Sequence, residues 1–392
     1  MRIDFFSFRK LFWPINAITY NLCRLIPFRS RRIWVFGCLS GNGYSDNAKY
    51  LFEYVNEVHS SDIKAVWLSN TREVVEDLRR NQYTSYLTYS FKGMWYALRC
   101  GVAVYTHGLS DFGYMPLVGG AKVVSLWHGV GFKKIYNASY QGICHRFKTA
   151  LDKVFSWTKR DCTMVTSEYT KKQFKILFNL DEKNIFITGQ PRNDVFKKDI
   201  NCQTLRKSLG IGQDKKIILY MPTYRNKWQG EKVIDNIIKD LVGCKVLNEV
   251  LETYGYLMMI KLHPLTPVPD VSITENFRII EYGDIKFNQE LLVLGDILIT
   301  DYSSCFVDYS LLHRPIIFYV PDMEDYLNST GGMDQDFFDL CDICRCQTPE
   351  DLSNQILHPS VKVAQLTNCI FEDVSIQGTC YSENVYRVIN KI

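Results

Sequence analysis

The sequence predicts an α/β protein built of two doubly wound, Rossmann-like lobes with a cleft between them. Three observations carry that expectation. Asp296–Asp322, DILITDYSSCFVDYSLLHRPIIFYVPD, passes from an apolar strand through a polar turn and a short amphipathic helix into a second apolar strand, which reads as a parallel βαβ unit. Apolar runs of strand length recur along the chain and keep ending in polar, Gly or His turns. A charged stretch near residues 197–215, carrying Gly210 and Gly212, separates two halves that each repeat this alternation.

Residues 1–32 come first and stand apart. They hold seven of the 46 basic and one of the 42 acidic residues, so about +6 of charge gathers there and the remainder is near −2. Phe5, Phe6, Phe8, Leu11, Phe12 and Trp13 are interleaved with Arg2, Arg9, Lys10, Arg24, Arg29, Arg31 and Arg32, the pattern of a membrane-surface element. Pro14, Asn16, Thr19, Asn21 and Arg24 break the apolar stretch well short of the roughly 20 residues a bilayer core needs. No small-residue cleavage pattern follows it, so it does not read as a secretory leader.

In the first half, IWVFG at 33–37, VAVY at 102–105, KVVSLW at 122–127 and IFIT at 185–188 read as strands. Helical periodicity falls at 47–58, 73–81 and 91–99. In the second half, IILYM at 217–221 and LMMIKL at 257–262 join the 296–322 unit, with helices expected at 232–254, 288–294, 303–312, 349–358 and 380–391. The last helix is placed so that it can pack back across the first lobe. The formal charge of +4 is too small to argue for nucleic acid, and Gly37, Gly41 and Gly43 do not form a dinucleotide fingerprint. Thirteen cysteines without a leader point to a reducing compartment. Cys341, Cys344 and Cys346 lack an obvious fourth ligand, so no metal is expected there.

Ligands of open α/β sheets bind at strand carboxyl ends, and the candidate residues are those that follow the strands. Thr300, Asp301, Ser303 and Ser304 precede a helix whose first N–H groups lack intrahelical partners, which suits a diphosphate; simple helix capping competes with this reading. His128, in WHGVGFKK with Lys133, follows a strand as a neutral base beside positive charge. His263, held extended by Pro264, can donate to a phosphate oxygen or close its own loop. Thr223 and Arg225 add a hydroxyl and a bidentate donor. Arg192, Asn193 and Asp194 either serve the cleft or form a structured turn, and His107 is a weaker candidate.

On WHGVGFKK, GQPRND, MPTYR, KLHP and DILITDYSSCFVDYSLLHRPIIFY, in that order over about residues 105–325, the chain resembles the CDP-glycerol glycerophosphotransferase family, the teichoic-acid primases and polymerases. The resemblance implies a GT-B fold with residues 33–200 as the acceptor-side lobe and 201–392 as the donor-binding lobe. It implies transfer of glycerol phosphate or ribitol phosphate from a CDP-activated donor to a hydroxyl of a lipid-linked or polymeric acceptor, with CMP released and no cofactor beyond the donor. It also implies a bare catalytic core attached peripherally to the cytoplasmic face of the plasma membrane. Carried over residue by residue, His128 becomes the acceptor-side base, and His263, Thr223, Arg225, Thr300, Asp301, Ser303 and Ser304 hold the CDP diphosphate, with Asp308 supporting the helix. The family's next block, an Arg-Gly-Phe-Tyr-type segment, has no counterpart in Ser329–Phe338. Two competing readings stand beside this one: a GT-B glycosyltransferase using a nucleotide sugar, and a non-catalytic membrane-associated nucleotide-binding protein.

Overall fold

Thirteen strands of the computed structural model fall into two all-parallel sheets. The structure describes residues 13–129, 160–178, 180–198, 201–225, 232–263, 265–280, 288–330, 345–371 and 380–392. Clustering of contacts divides them into two units. The first takes the described residues of Met1–His128, Ala138–Asp194 and Asp373–Ile392, and the second those of Gly129–Asn137 and Val195–Glu372.

Helix α1 (Trp13–Cys23) opens the first unit, followed by β1 (Ser30–Gly37), α2 (Asp46–Val58), β2 (Lys64–Ser69), α3 (Arg72–Arg80), β3 (Ser85–Leu87), α4 (Phe91–Arg99), β4 (Cys100–Tyr105), β5 (Lys122–Ser125), β6 (Cys162–Val165), α5 (Glu168–Phe178) and β7 (Ile185–Ile187). The sheet order is β3-β2-β1-β4-β5-β6-β7. Both faces of such a sheet are covered, which is why its strands are continuous apolar runs: Trp34, Val35 and Phe36 of β1 are fully buried. Aromatic packing fills one side, where Phe36 lies parallel to Trp67 and edge-on to Phe52.

The second unit continues with α6 (Cys202–Ser208), β8 (Lys216–Met221), α7 (Val233–Gly243), α8 (Lys245–Thr253), β9 (Tyr256–Lys261), β10 (Phe277–Ile280), α9 (Asn288–Leu294), β11 (Ile297–Thr300), α10 (Cys305–Ser310), β12 (Ile316–Tyr319), α11 (Met323–Thr330), β13 (Arg345–Cys346), α12 (Pro349–Leu357) and α13 (Val363–Phe371). Its order is β10-β9-β8-β11-β12-β13. The single helix expected over 232–254 is two, because the backbone turns extended at Cys244, whose sulfur caps α8 at Leu247 N. Helix α10 is shorter than the 303–312 expected, starting only at Cys305.

The closing helix α14 (Tyr381–Lys391) belongs to the first unit. The Asp194 carboxylate accepts from Tyr381 N at 2.6 Å and Ser382 N at 2.9 Å, and Val385 and Ile389 enter the core beside α2. Asp194 is thus a helix cap.

Among the described residues, no helix is long and apolar enough to cross a membrane. Arg29, counted among the membrane-facing cations, points inward instead. Its guanidinium donates to the carbonyls of Ala97 (3.1 Å), Cys100 (3.0 Å) and Cys23 (3.2 Å), and also to that of Gly119, which pins the end of α1 to α4. Cys341 and Cys344 lie outside the described residues; Cys346 is buried in the second core.

Candidate functional sites

Each sheet has one switch point, where successive connections leave in opposite directions: between β1 and β4 in the first, and between β8 and β11 in the second. Crevices form at the carboxyl ends of such strand pairs. The sequence candidates converge on these two places.

At the first, His128 is half-buried, and its Nδ1 lies 3.3 Å from Thr106 O. A carbonyl only accepts, so Nδ1 carries the proton and Nε2 keeps its lone pair. Burial lowers the His128 pKa, neighbouring His107 lowers it further, and Asp46 opposes them. The imidazole is therefore neutral at pH 7, as a base must be. His107 lies parallel to it, anchored through Nδ1 by Leu39 N at 3.3 Å and Thr106 Oγ1 at 2.7 Å.

The surrounding backbone is held under strain. Of six non-glycine residues with positive φ among the described residues, four lie here: Leu39 (48°), Ser40 (56°), Asp46 (60°) and Trp127 (54°). Buried Asp111 accepts from Ser40 N (2.7 Å), Thr106 N (3.0 Å) and His107 N (2.8 Å). Burial raises its pKa, against the pull of those three N–H groups. Asn47, fully buried, donates to Trp127 O at 2.9 Å and accepts from Arg192 N at 3.1 Å. Arg192 Nη1 donates to Asp46 Oδ1 and to His128 O, both at 2.9 Å. Arg192 and Asn193, offered as cleft residues, are buried and belong to this framework. Lys133 lies outside the described residues.

At the second switch point the hub is Asp301, only 1% exposed. It accepts from Thr223 Oγ1 (2.6 Å), Thr223 N (2.8 Å), Tyr302 N (2.5 Å) and Arg225 Nη2 (2.9 Å). Arg225 also donates to Asp322 through Nε (2.7 Å) and to Thr223 O through Nη1 (2.7 Å). Burial works against the charge of this guanidinium, and Asp301 and Asp322 more than offset it. Arg225 is therefore no open donor for a diphosphate: its charge is consumed by two carboxylates. Thr300 is likewise buried, its hydroxyl donating to Met221 O at 3.0 Å, and Asp308 is buried against Gln289. These four residues shape the corner from behind.

What remains accessible there is Thr223, Tyr224, Ser303 and Ser304, all half-buried, and exposed His263; the Thr223 hydroxyl is already given to Asp301. Leu265 N donates to His263 Nδ1 at 3.1 Å, which places the ring proton on Nε2, with Tyr224 beside the ring at 5.2 Å. The loop-closing contact expected of His263 is therefore present through Nδ1. Asp46, Asn47, Asp111 and Asp322 were not singled out in the sequence. Their contacts run between residues up to 146 positions apart, and no local signal marks them.

Two parallel α/β units, each with polar groups gathered at its switch point, define a GT-B-like protein. A variant of the wall teichoic acid polymerase TagF superposes on the chain with TM-score 0.73 at 21% identity, covering 99% of this chain and 98% of that one. The chain belongs to the CDP-Glycerol:Poly(glycerophosphate) glycerophosphotransferase family, whose profile matches residues 18–363. It is 31% identical over 350 residues to a teichoic acid poly(glycerol phosphate) polymerase of Bacillus spizizenii, covering 84% of each. It is 27% identical over 340 residues to a teichoic acid poly(ribitol-phosphate) polymerase of the same organism, of whose length it spans 52%.

Proposed function

We propose that the protein transfers a polyol phosphate, glycerol phosphate or ribitol phosphate, from a CDP-activated donor to a hydroxyl of a lipid-linked or polymeric acceptor in teichoic-acid-type synthesis. The acceptor oxygen attacks the β-phosphorus, the phosphoanhydride P–O bond breaks, and CMP departs with the bridging oxygen. The acceptor's proton passes to His128 Nε2. The observation that carries this reading is the place of His128: half-buried at a switch point, with Nδ1 3.3 Å from Thr106 O, so that the lone pair falls to Nε2. His263, Ser303 and Ser304 receive the donor's phosphates, while Asp301, Arg225, Thr223 and Thr300 hold that corner in shape. These groups hydrogen-bond the phosphate oxygens and no metal is expected beside them, so turnover persists in EDTA; loss restored by Mg²⁺ reverses that part. Peripheral attachment to the cytoplasmic face of the plasma membrane, through the basic aromatic N-terminal segment, brings the enzyme to a lipid-linked acceptor.

The test is incubation with CDP-glycerol, CDP-ribitol and UDP-sugars beside a lipid-linked acceptor, scoring CMP against UDP. CMP release with a product heavier by one polyol phosphate supports the reading. UDP release assigns a nucleotide-sugar transferase instead, and no release from any donor assigns a non-catalytic protein.

A further inference from the structure

Helix α4 packs inward through Gly93, Ala97 and the partly buried Tyr96, and it leaves two large aromatics outside; a Cβ on Gly93 would meet Leu87 O at 2.1 Å. Its outward side carries Phe91, 82% exposed, and Trp95, 44% exposed. A helix covered only by water places its aromatics inward and its small residues outward.

Two other segments bring exposed apolar side chains to the same corner. Arg29 joins them through its carbonyl contacts at Cys23, Ala97 and Leu117, so the end of α1, the end of α4 and the loop before β5 meet at one guanidinium. Leu22, Leu25 and Phe28 are exposed on the α1 side. Exposed Met115, on the loop, donates its N–H to the hydroxyl of Tyr89, two residues before α4. Along these segments of the sequence the charge has one sign. There is no acidic residue between Asp4 and Asp46, between Asp77 and Asp111, or between Asp111 and Asp152, whereas Arg24, Arg31, Lys92 and Arg99 fall within those spans. The Arg99 guanidinium lies 5.8 Å from the Trp95 ring. Aromatic rings beside cations, on segments that carry no acid of their own, suit the boundary between anionic headgroups and acyl chains.

We propose that this corner docks on an anionic bilayer, with Phe91, Trp95 and Met115 entering the interface beside Leu22, Leu25 and Phe28. The proposal rests on the membrane attachment of the preceding reading and adds α4, which the sequence did not associate with it. The full-length protein is sedimented with phosphatidylglycerol-containing vesicles, with phosphatidylcholine vesicles, and alone. The wild type is expected to pellet with the anionic vesicles only, and F91S/W95S to lose about tenfold or more in partition, as L25S/F28S does. Lys92→Glu weakens binding to anionic vesicles alone. Unchanged melting and CMP release with a soluble acceptor show that the variants fold. If the wild type binds and F91S/W95S binds equally well, α4 is not part of the surface, although attachment stands. If the wild type fails to bind, attachment itself falls. A change in oligomeric state in F91S/W95S without a change in vesicle binding assigns the face to a second copy and overturns the proposal.

Discussion

His107 lies flat on His128: the two rings are parallel to within 3°, with centroids 4.3 Å apart. The covering ring keeps water from one face of the base, and a proton on either ring disfavours one on the other. His107→Ala is expected to raise the His128 pKa toward about 6.5 and to move the acid limb of kcat/KM up with it. NMR titration of His128 checks the first effect and the pH–rate profile the second. An unmoved titration contradicts the coupling, and a moved titration with an unmoved profile contradicts the base assignment.

Stability should follow pH with a defined sign. Burial lowers the pKa of both His107 and His128, so the unfolded chain binds the additional protons. The stability gained by keeping these rings neutral is complete above the unfolded value of about 6.5 and is lost as pH falls through the folded values. Below that pH the melting temperature of the wild type should decline more steeply than that of H107F/H128F. Equal slopes would refute the assignment.

Separate losses are expected at the two switch points. His128→Ala should abolish turnover and leave CDP binding, measured by calorimetry, close to wild type. His263→Ala should weaken CDP binding by about tenfold, the worth of one charge-assisted or neutral donor to phosphate. Equal loss of binding in both variants would remove the division of roles.

Arg225→Ala leaves buried Asp301 and half-buried Asp322 without their counter-charge. Removing one partner of a buried ion pair costs about 3–5 kcal/mol, so a large fall in melting temperature is expected. A variant that melts like the wild type and loses only turnover would return Arg225 to the role of a direct ligand.

Asp194→Ala removes the acceptor from the first two N–H groups of α14. About 1 kcal/mol should be lost, and limited proteolysis should cut near residue 380 faster. Cleavage at the wild-type rate would show that the cap contributes little.

The two parallel sheets were legible because strands buried on both faces are continuous apolar runs, as IWVFG and IILYM are. Five strands were missed: β3, β10 and β13 are edge strands of two to four residues without a run long enough to register, whereas β2 and β6 lie inside the first sheet and their apolar runs, AVWL and CTMV, went unread. His128, His263, Ser303 and Ser304 were legible as polar residues at strand ends. Arg192, Arg225 and Arg29 were visible as charges, but a sequence does not reveal whether a guanidinium faces a ligand or its own protein. Here Asp46, Asp322 and a set of carbonyls answer that, each from a remote part of the chain.

Because α14 completes the core beside β1 and α2, the first unit is assembled from segments on either side of the long stretch that forms most of the second unit. A ribosome emitting this chain releases β1 to β7 long before Val385 and Ile389 exist to cover Trp34 and Phe52. The amino-terminal lobe must therefore wait, incompletely covered, while its neighbour is synthesised. A nonsense mutation just after Phe371 would spare every residue of the second sheet and yet cripple the unit built on the first.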